Sequence, residues 1–197
     1  MRLPDEYFQR MYAQSDDPWH LATRWYEQRK YAITMSLLPR PRYRHAFEPG
    51  CSVGTVTAHL AQRCDHVTAI DVAQAALDTA AARVTSGVTF ARGSLDDPWP
   101  TGPFDLLVLS EVGYYLAADA LEDTLLQEIP RLAPDATVVA AHWRHPVDDY
   151  PITGDQVHQI VAGVPGLTRL GGYSDRDVLI EVFDTGDGSS VAAREFL

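Results

Sequence analysis

The residues whose types and spacing could do chemistry begin with Glu48-Pro49-Gly50-Cys51-Ser52-Val53-Gly54. Glycines remove side chains where a backbone must turn sharply and approach a ligand closely. A helix that follows such a turn offers its free N–H groups there. In a Gly-x-Gly-x-x-Gly loop those groups bind a dinucleotide pyrophosphate. Here the pattern is Glu-x-Gly-x-x-x-Gly, with an acid before the first of two glycines. An acid sits badly beside a pyrophosphate and suits a ligand carrying positive charge; an ordinary strand-to-helix turn is the plainer explanation. Asp71 stands 17 residues after Gly54 at the end of another apolar run. A carboxylate there can accept both ribose hydroxyls of a nucleoside, or merely cap the next helix. Two further loops follow, Gly93-Ser94-Leu95-Asp96-Asp97 and Ser110-Glu111-Val112-Gly113-Tyr114-Tyr115. All four fall where strands end, the edge at which open α/β sheets bind ligands. Tyr115 is expected to face that cleft, and Tyr114 is left open.

A second cluster is His142-Trp143-Arg144-His145-Pro146-Val147-Asp148-Asp149-Tyr150. His142 ends a strand-like run and is the first candidate for a base, since an imidazole titrates near neutrality. His145 and Asp149 are further candidates in a loop of undetermined direction. Against these stands a histidine satisfied by a backbone partner. Trp143 and Tyr150 supply an aromatic wall or simply bury the loop. Cys51 has no paired base to make it a nucleophile. Together with Cys64 it forms neither a disulfide framework nor a zinc site.

The elements that must position these residues are legible in the rhythm of the chain. The first 40 residues read as helical, with Asp16-Asp17-Pro18 opening a helix that continues to Leu37 before Pro39 and Pro41. From residue 45 short apolar runs alternate with helical patterns. Strands are expected at 45–48, 66–70, 88–92, 104–110 and 137–141, and helices at 55–63, 73–84 and 118–132. Such alternation favours a parallel sheet covered by helices on both faces. After a helix at 155–164, runs at 167–173 and 178–183 are joined too tightly for a parallel crossover and should pair antiparallel.

The 197 residues suit one domain, and 46% apolar with 22% charged residues is an ordinary globular mixture. A net charge of −11 disfavours nucleic acid as a partner. No stretch is long and apolar enough to span a bilayer. The start, Met1-Arg2-Leu3-Pro4-Asp5-Glu6, lacks the apolar core of a secretory signal. A cytoplasmic protein without membrane contact is the expectation. Lys30 is the one lysine among 16 basic residues, which reads as a bias of composition.

The stretches EPGCSVGTVTAHLA, VTAIDVAQAAL, FDLLVLSEVGYYL and RLAPDATVVAAHW resemble, in order and spacing, the class I S-adenosylmethionine (SAM)-dependent methyltransferases. The cysteine after the first glycine, the Ser-Glu-Val-x-Tyr-Tyr-Leu loop and the N-terminal Asp-Asp-Pro-Trp…Trp-Tyr-Glu segment resemble more narrowly the NodS-like group, named for a nodulation N-methyltransferase. The resemblance implies a Rossmann-like α/β fold with a seven-stranded, mostly parallel sheet whose last strand is antiparallel. It implies an N-terminal helical cap over 1–42 and a cofactor-binding core over 43–197. It also implies roles. Gly50, Cys51 and Gly54 would approach the methionine part of SAM, with Glu48 near its amino end. Asp71 would hold the ribose, and Val72, Ser94 and Leu95 would flank the adenine. Ser110 and Glu111 would line the methionine side, and Trp19 and Arg29 would make lid contacts, Arg29 reaching the methionine carboxylate. Ser94 departs from the family pattern, where an aspartate binds the adenine amino group; Asp96 is a candidate substitute. Asp135-Ala136 replaces the usual Gly-Gly turn.

The function this implies is methyl transfer from SAM, with S-adenosylhomocysteine (SAH) as product, to an N or O acceptor on a small molecule. A sulfonium methyl is already activated, so the protein must align the reactants, exclude water and leave the acceptor lone pair free. No metal is required. A nonenzymatic SAM-binding domain and a nicotinamide-dependent oxidoreductase are the rival readings.

Overall fold

The computed structural model describes residues 2–196. Seven strands form one sheet: β1 (Tyr43–Pro49), β2 (Cys64–Asp71), β3 (Val88–Arg92), β4 (Leu106–Ser110), β5 (Thr137–Trp143), β6 (Thr168–Ser174) and β7 (Val178–Asp184). Their order is β3-β2-β1-β4-β5-β7-β6. β1 to β5 run parallel, and β7 is antiparallel to both β5 and β6. The order reverses between β1 and β4, and a crevice opens there at the strands' C-terminal ends.

The helices are α1 (Asp5–Gln14), α2 (Trp25–Leu37), α3 (Thr55–Arg63), α4 (Gln74–Arg83), α5 (Ala118–Glu128), α6 (Gly154–Gly163) and α7 (Val191–Phe196). Side chains of a strand alternate between faces, and the core divides accordingly. Leu107, Leu109, Val138 and Ala140 pack with Leu121 and Leu125 of α5 and Val157 and Val161 of α6. Leu106, Val108, Val139 and Ala141 share the opposite cluster with Tyr31 of α2, Leu60 of α3 and Leu77 of α4. In a smaller third cluster Phe8 and Tyr12 of α1 pack with Val53, Ala73 and Ala76.

The long helix expected to open at Asp17-Pro18 starts later, at Trp25. The Asp17 carboxylate accepts the N–H groups of Leu21 and Ala22 at 2.8 and 3.0 Å. His20 adopts φ +58°, a left-handed conformation that no α-helix continues through. A carboxylate-capped turn therefore separates α1 from α2. The helix expected over 118–132 gives way at Glu128 to a 3-10 turn containing Pro130, because proline removes an interior hydrogen bond. Asp135, standing where the family usually has glycine, takes φ +57° itself. Among the described residues no helix is long and apolar enough to cross a membrane.

Candidate functional site: a carboxylate-lined cavity at the sheet's C-terminal edge

A cavity of about 690 Å³ lies over the ends of β1, β2, β4 and β5, and α1 and the start of α2 close it from above. Gly50 at φ +71°, Ser52 at φ +50° and Gly54 at φ +74° give the β1–α3 loop its sharp turn. Glu48, at the end of β1, is 2% exposed and accepts the Thr57 hydroxyl at 2.6 Å. Burial pushes its carboxyl up to about 8 despite that hydrogen bond. Asp71, at the end of β2, accepts N–H from Ser52 and from Ala73, each at 2.9 Å. It thus stiffens both loops and still presents itself in the cavity wall. Burial raises its pKa, and the backbone donors pull the other way.

Glu111 follows β4 in a left-handed conformation, φ +56°. It accepts Lys30 Nζ at 2.6 Å, the Trp143 N–H at 3.0 Å and the Tyr114 hydroxyl. Lys30 is 1% exposed and also lies 2.8 Å from Glu27. Burial pulls the Lys30 ammonium down while the two carboxylates push it up, leaving it above its usual value.

The wall includes Trp19, Glu48, Gly50, Cys51, Asp71, Val72, Ser94, Leu95, Ser110, Glu111 and Tyr115, so these expected site residues converge on one space. Five others do not. Gly54 lies behind the loop, where a Cβ would meet Ala80 Cβ at 2.8 Å; its role is helix packing. Arg29 points away, donating to Asp175 at 2.8 Å and to the Tyr173 hydroxyl. His142 falls on the same sheet face as Val138 and Ala140 and is fully buried beneath α6, because the two-residue strand period turns it from the cleft. His145 is exposed and pairs with Asp177 at 2.8 Å. Asp149 is also exposed and outside the wall. Asp96 does not enter the cavity; it binds the Ser94 hydroxyl at 2.5 Å and lies 3.3 Å from Arg2.

Other wall residues are not marked as site residues by the sequence: Arg24, Tyr26, Glu27 and Tyr31 on or beside α2, and Tyr12 on α1. One signal was available, a single lysine three residues after Glu27 in a chain that otherwise uses arginine. Tyr114, left open before, lines the wall, as do Trp143 and Tyr150. Burial pushes the Cys51 thiol well up, which leaves it inert.

The sheet order, the single reversed strand and the crevice at the switch point define the class I SAM-dependent methyltransferase fold. The model of the nodulation protein S (NodS) family matches residues 5–148, and the chain belongs to that family. Nodulation protein S of Bradyrhizobium diazoefficiens is 33% identical over 129 residues, covering 63% of this chain and 61% of that protein. The Rhizobium tropici protein is 33% identical over 106 residues, 52% of this chain and 44% of its own length. The chain therefore spans only about half to three fifths of these curated relatives. Among solved structures, N-methyltransferase NodS from Bradyrhizobium japonicum in complex with SAH superposes with a TM-score of 0.80 at 25% identity, covering 91% of this chain and 96% of that one. A Pseudomonas syringae chain, provisionally assigned as a methyltransferase, is 37% identical with a TM-score of 0.71, over 82% of this chain and 99% of that one.

Proposed function

We propose that this protein is a SAM-dependent N-methyltransferase acting on an amine of a small molecule, an amino sugar or a secondary metabolite. The observation that carries this reading is the placement of Glu48, Asp71 and Glu111 around one cavity at the strand ends. A pyrophosphate would be repelled by that arrangement, which disfavours the nicotinamide alternative, whereas a sulfonium nucleoside with an ammonium group is attracted by it.

The donor set fits such a cofactor. Glu48 offers a buried carboxyl that a ligand ammonium would ionise, and Asp71 keeps lone pairs free for ribose hydroxyls beyond its two backbone donors. The buried Thr55 hydroxyl, also in the wall, has no hydrogen-bond partner among the described residues. Arg24 takes the carboxylate role expected of Arg29. It lines the cavity, and its side chain makes no hydrogen bond or ion pair among the described residues. When bound, SAM supplies a methyl group already activated by positive sulfur. The chain's own contribution is then alignment, exclusion of water and electrostatics. Tyr12, Trp19 and Phe8 close the cavity above the glycine loop. Glu111 stabilises the positive charge that builds on the acceptor nitrogen. None of His142, His145 and Asp149 is assigned as a base, so the acceptor enters this reading as a neutral amine.

Calorimetric titration tests the cofactor: SAM and SAH should bind, and Asp71→Asn should bind about ten-fold more weakly through the lost acceptor. A wild-type chain that binds neither compound refutes the proposal. Mass detection of products across amino sugars, primary amines and phenols tests the acceptor, and methylation of phenols alone removes the amine.

A further inference from the structure

We infer that Glu181, His158 and His142 form a proton-ordered wire that fixes the Gly113–Tyr115 turn, which makes His142 a positioning residue for the cavity's aromatic wall. The wire joins β7, α6, β5 and the loop after β4. Its direction is set by a group with no choice: the Gly113 N–H donates to His142 Nε2 at 3.3 Å. That nitrogen therefore carries no proton, and a neutral imidazole must carry it on Nδ1. His142 Nδ1 lies 3.2 Å from His158 Nε2, so His158 accepts there and bears its own proton on Nδ1. His158 Nδ1 donates to Glu181 Oε2 at 2.8 Å. The other Glu181 oxygen accepts Arg169 Nε at 2.5 Å. Every ring nitrogen is used once, and one proton arrangement satisfies all four links.

Packing leaves the turn no alternative seat. A Cβ on Gly113 would lie 2.6 Å from Val157 Cγ1, so its backbone rests directly against α6. The Tyr114 ring stands edge-on to His142 with centroids 5.3 Å apart and stacks on Tyr150 at 4.8 Å. Tyr114 and Tyr115 both line the cavity. The wire thus anchors the backbone of a turn whose next two side chains form the wall. Its functional meaning rests on the reading of that cavity as the cofactor and acceptor site.

A proton added to the pair would sit on His158 Nε2 and drive His142 to its Nε2–H form, two donors then facing each other at Gly113. The charged and titratable groups around the pair are Lys30 from α2, Glu111 and Tyr114 after β4, Asp155 on α6 with Arg144, Glu181 on β7 and Arg169 on β6. Burial, the neighbouring histidine and Lys30 hold His142 well below its usual pKa, and burial outweighs Glu181 to lower His158 as well. The neutral arrangement is therefore the one present near neutral pH.

Long-range proton–nitrogen NMR of the histidine-labelled chain reads the tautomers directly. Nδ1–H on both rings near neutral pH is the expected result, and Nε2–H or imidazolium at His142 overturns the wire. Two variants separate positioning from bulk structure, because glutamine places an oxygen near Nε2 and asparagine reaches only Nδ1. His142→Gln should keep the Gly113 amide protected and SAH affinity near wild type. His142→Asn should exchange that amide about ten-fold faster and bind SAH about five-fold more weakly. If both variants change alike, or asparagine changes neither readout, His142 does not position the turn. Failure of the wild-type chain to bind SAH would refute the proposed function while the NMR and exchange results still judge the wire.

Discussion

Lys30 Nζ lies 2.6 Å from Glu111 Oε1 and 2.8 Å from Glu27 Oε2, so one buried ammonium ties α2 to the loop that follows β4. The same Glu111 receives the Trp143 N–H from the end of β5. Helix α2 and two strand ends are therefore held by a single polar node beneath the cavity wall. Two carboxylates against one ammonium leave that node negative.

Lys30→Met should destabilise the protein by about 3–5 kcal/mol, because it leaves buried carboxylates uncompensated. Denaturant unfolding measures this, and a change below about 1 kcal/mol would mean that water reaches the node. The pH dependence has a definite sign. Lys30 is raised in the folded state, so its contribution is complete below the unfolded lysine value of about 10.4 and lost as pH rises through the folded one.

Glu48 behaves oppositely to most carboxylates. Its pKa, pushed up to about 8 by burial, means that stability falls as pH rises from the ordinary carboxylate range through that value. A ligand ammonium beside Glu48 would favour the ionised form. SAH binding near neutral pH should then release close to one proton, seen as a binding heat that depends on the buffer's ionisation enthalpy. Glu48→Gln should abolish the buffer dependence. Identical wild-type heats in phosphate and Tris would show that Glu48 does not change protonation on binding.

Arg24 and Arg29 should separate cleanly. Arg24→Ala should weaken SAH binding about ten-fold through loss of a charge-assisted contact. Arg29→Ala, whose partners are Asp175 and Tyr173, should leave SAH binding unchanged, because an exposed ion pair outside the wall is screened by solvent. The reverse pattern in calorimetry would restore Arg29 to the site.

Gly54→Ala tests packing apart from binding. The position has φ +74° and a Cβ there would meet Ala80 Cβ at 2.8 Å, which should cost about 2–3 kcal/mol in a chemical melt. A stability within about 0.5 kcal/mol of wild type would show that α3 and α4 can separate freely.

Glu48, Gly50 and Asp71 were legible in the chain because each closes an apolar run at a strand end, where one short segment sets both conformation and placement. The alternating runs specified the parallel sheet for the same reason, and the tight joint at 174–177 specified the reversed strand. His142 was not legible in that way. A strand turns a side chain to the opposite face at each step, so only the pairing of β5 with β4 and β7 could send it under α6 rather than into the cleft. Arg24 and Arg29 depended on where α2 begins, which the Asp17 carboxylate and the left-handed His20 decide. The single lysine looked like compositional bias until Glu111, 81 residues away, came to lie against it. Local steric and hydrophobic periodicity is written in neighbouring residues, and the sequence alone determined the strands, the turns and the carboxylates they carry. Which side chains meet across the sheet is a long-range property of register and helix docking, and only the tertiary structure decided it.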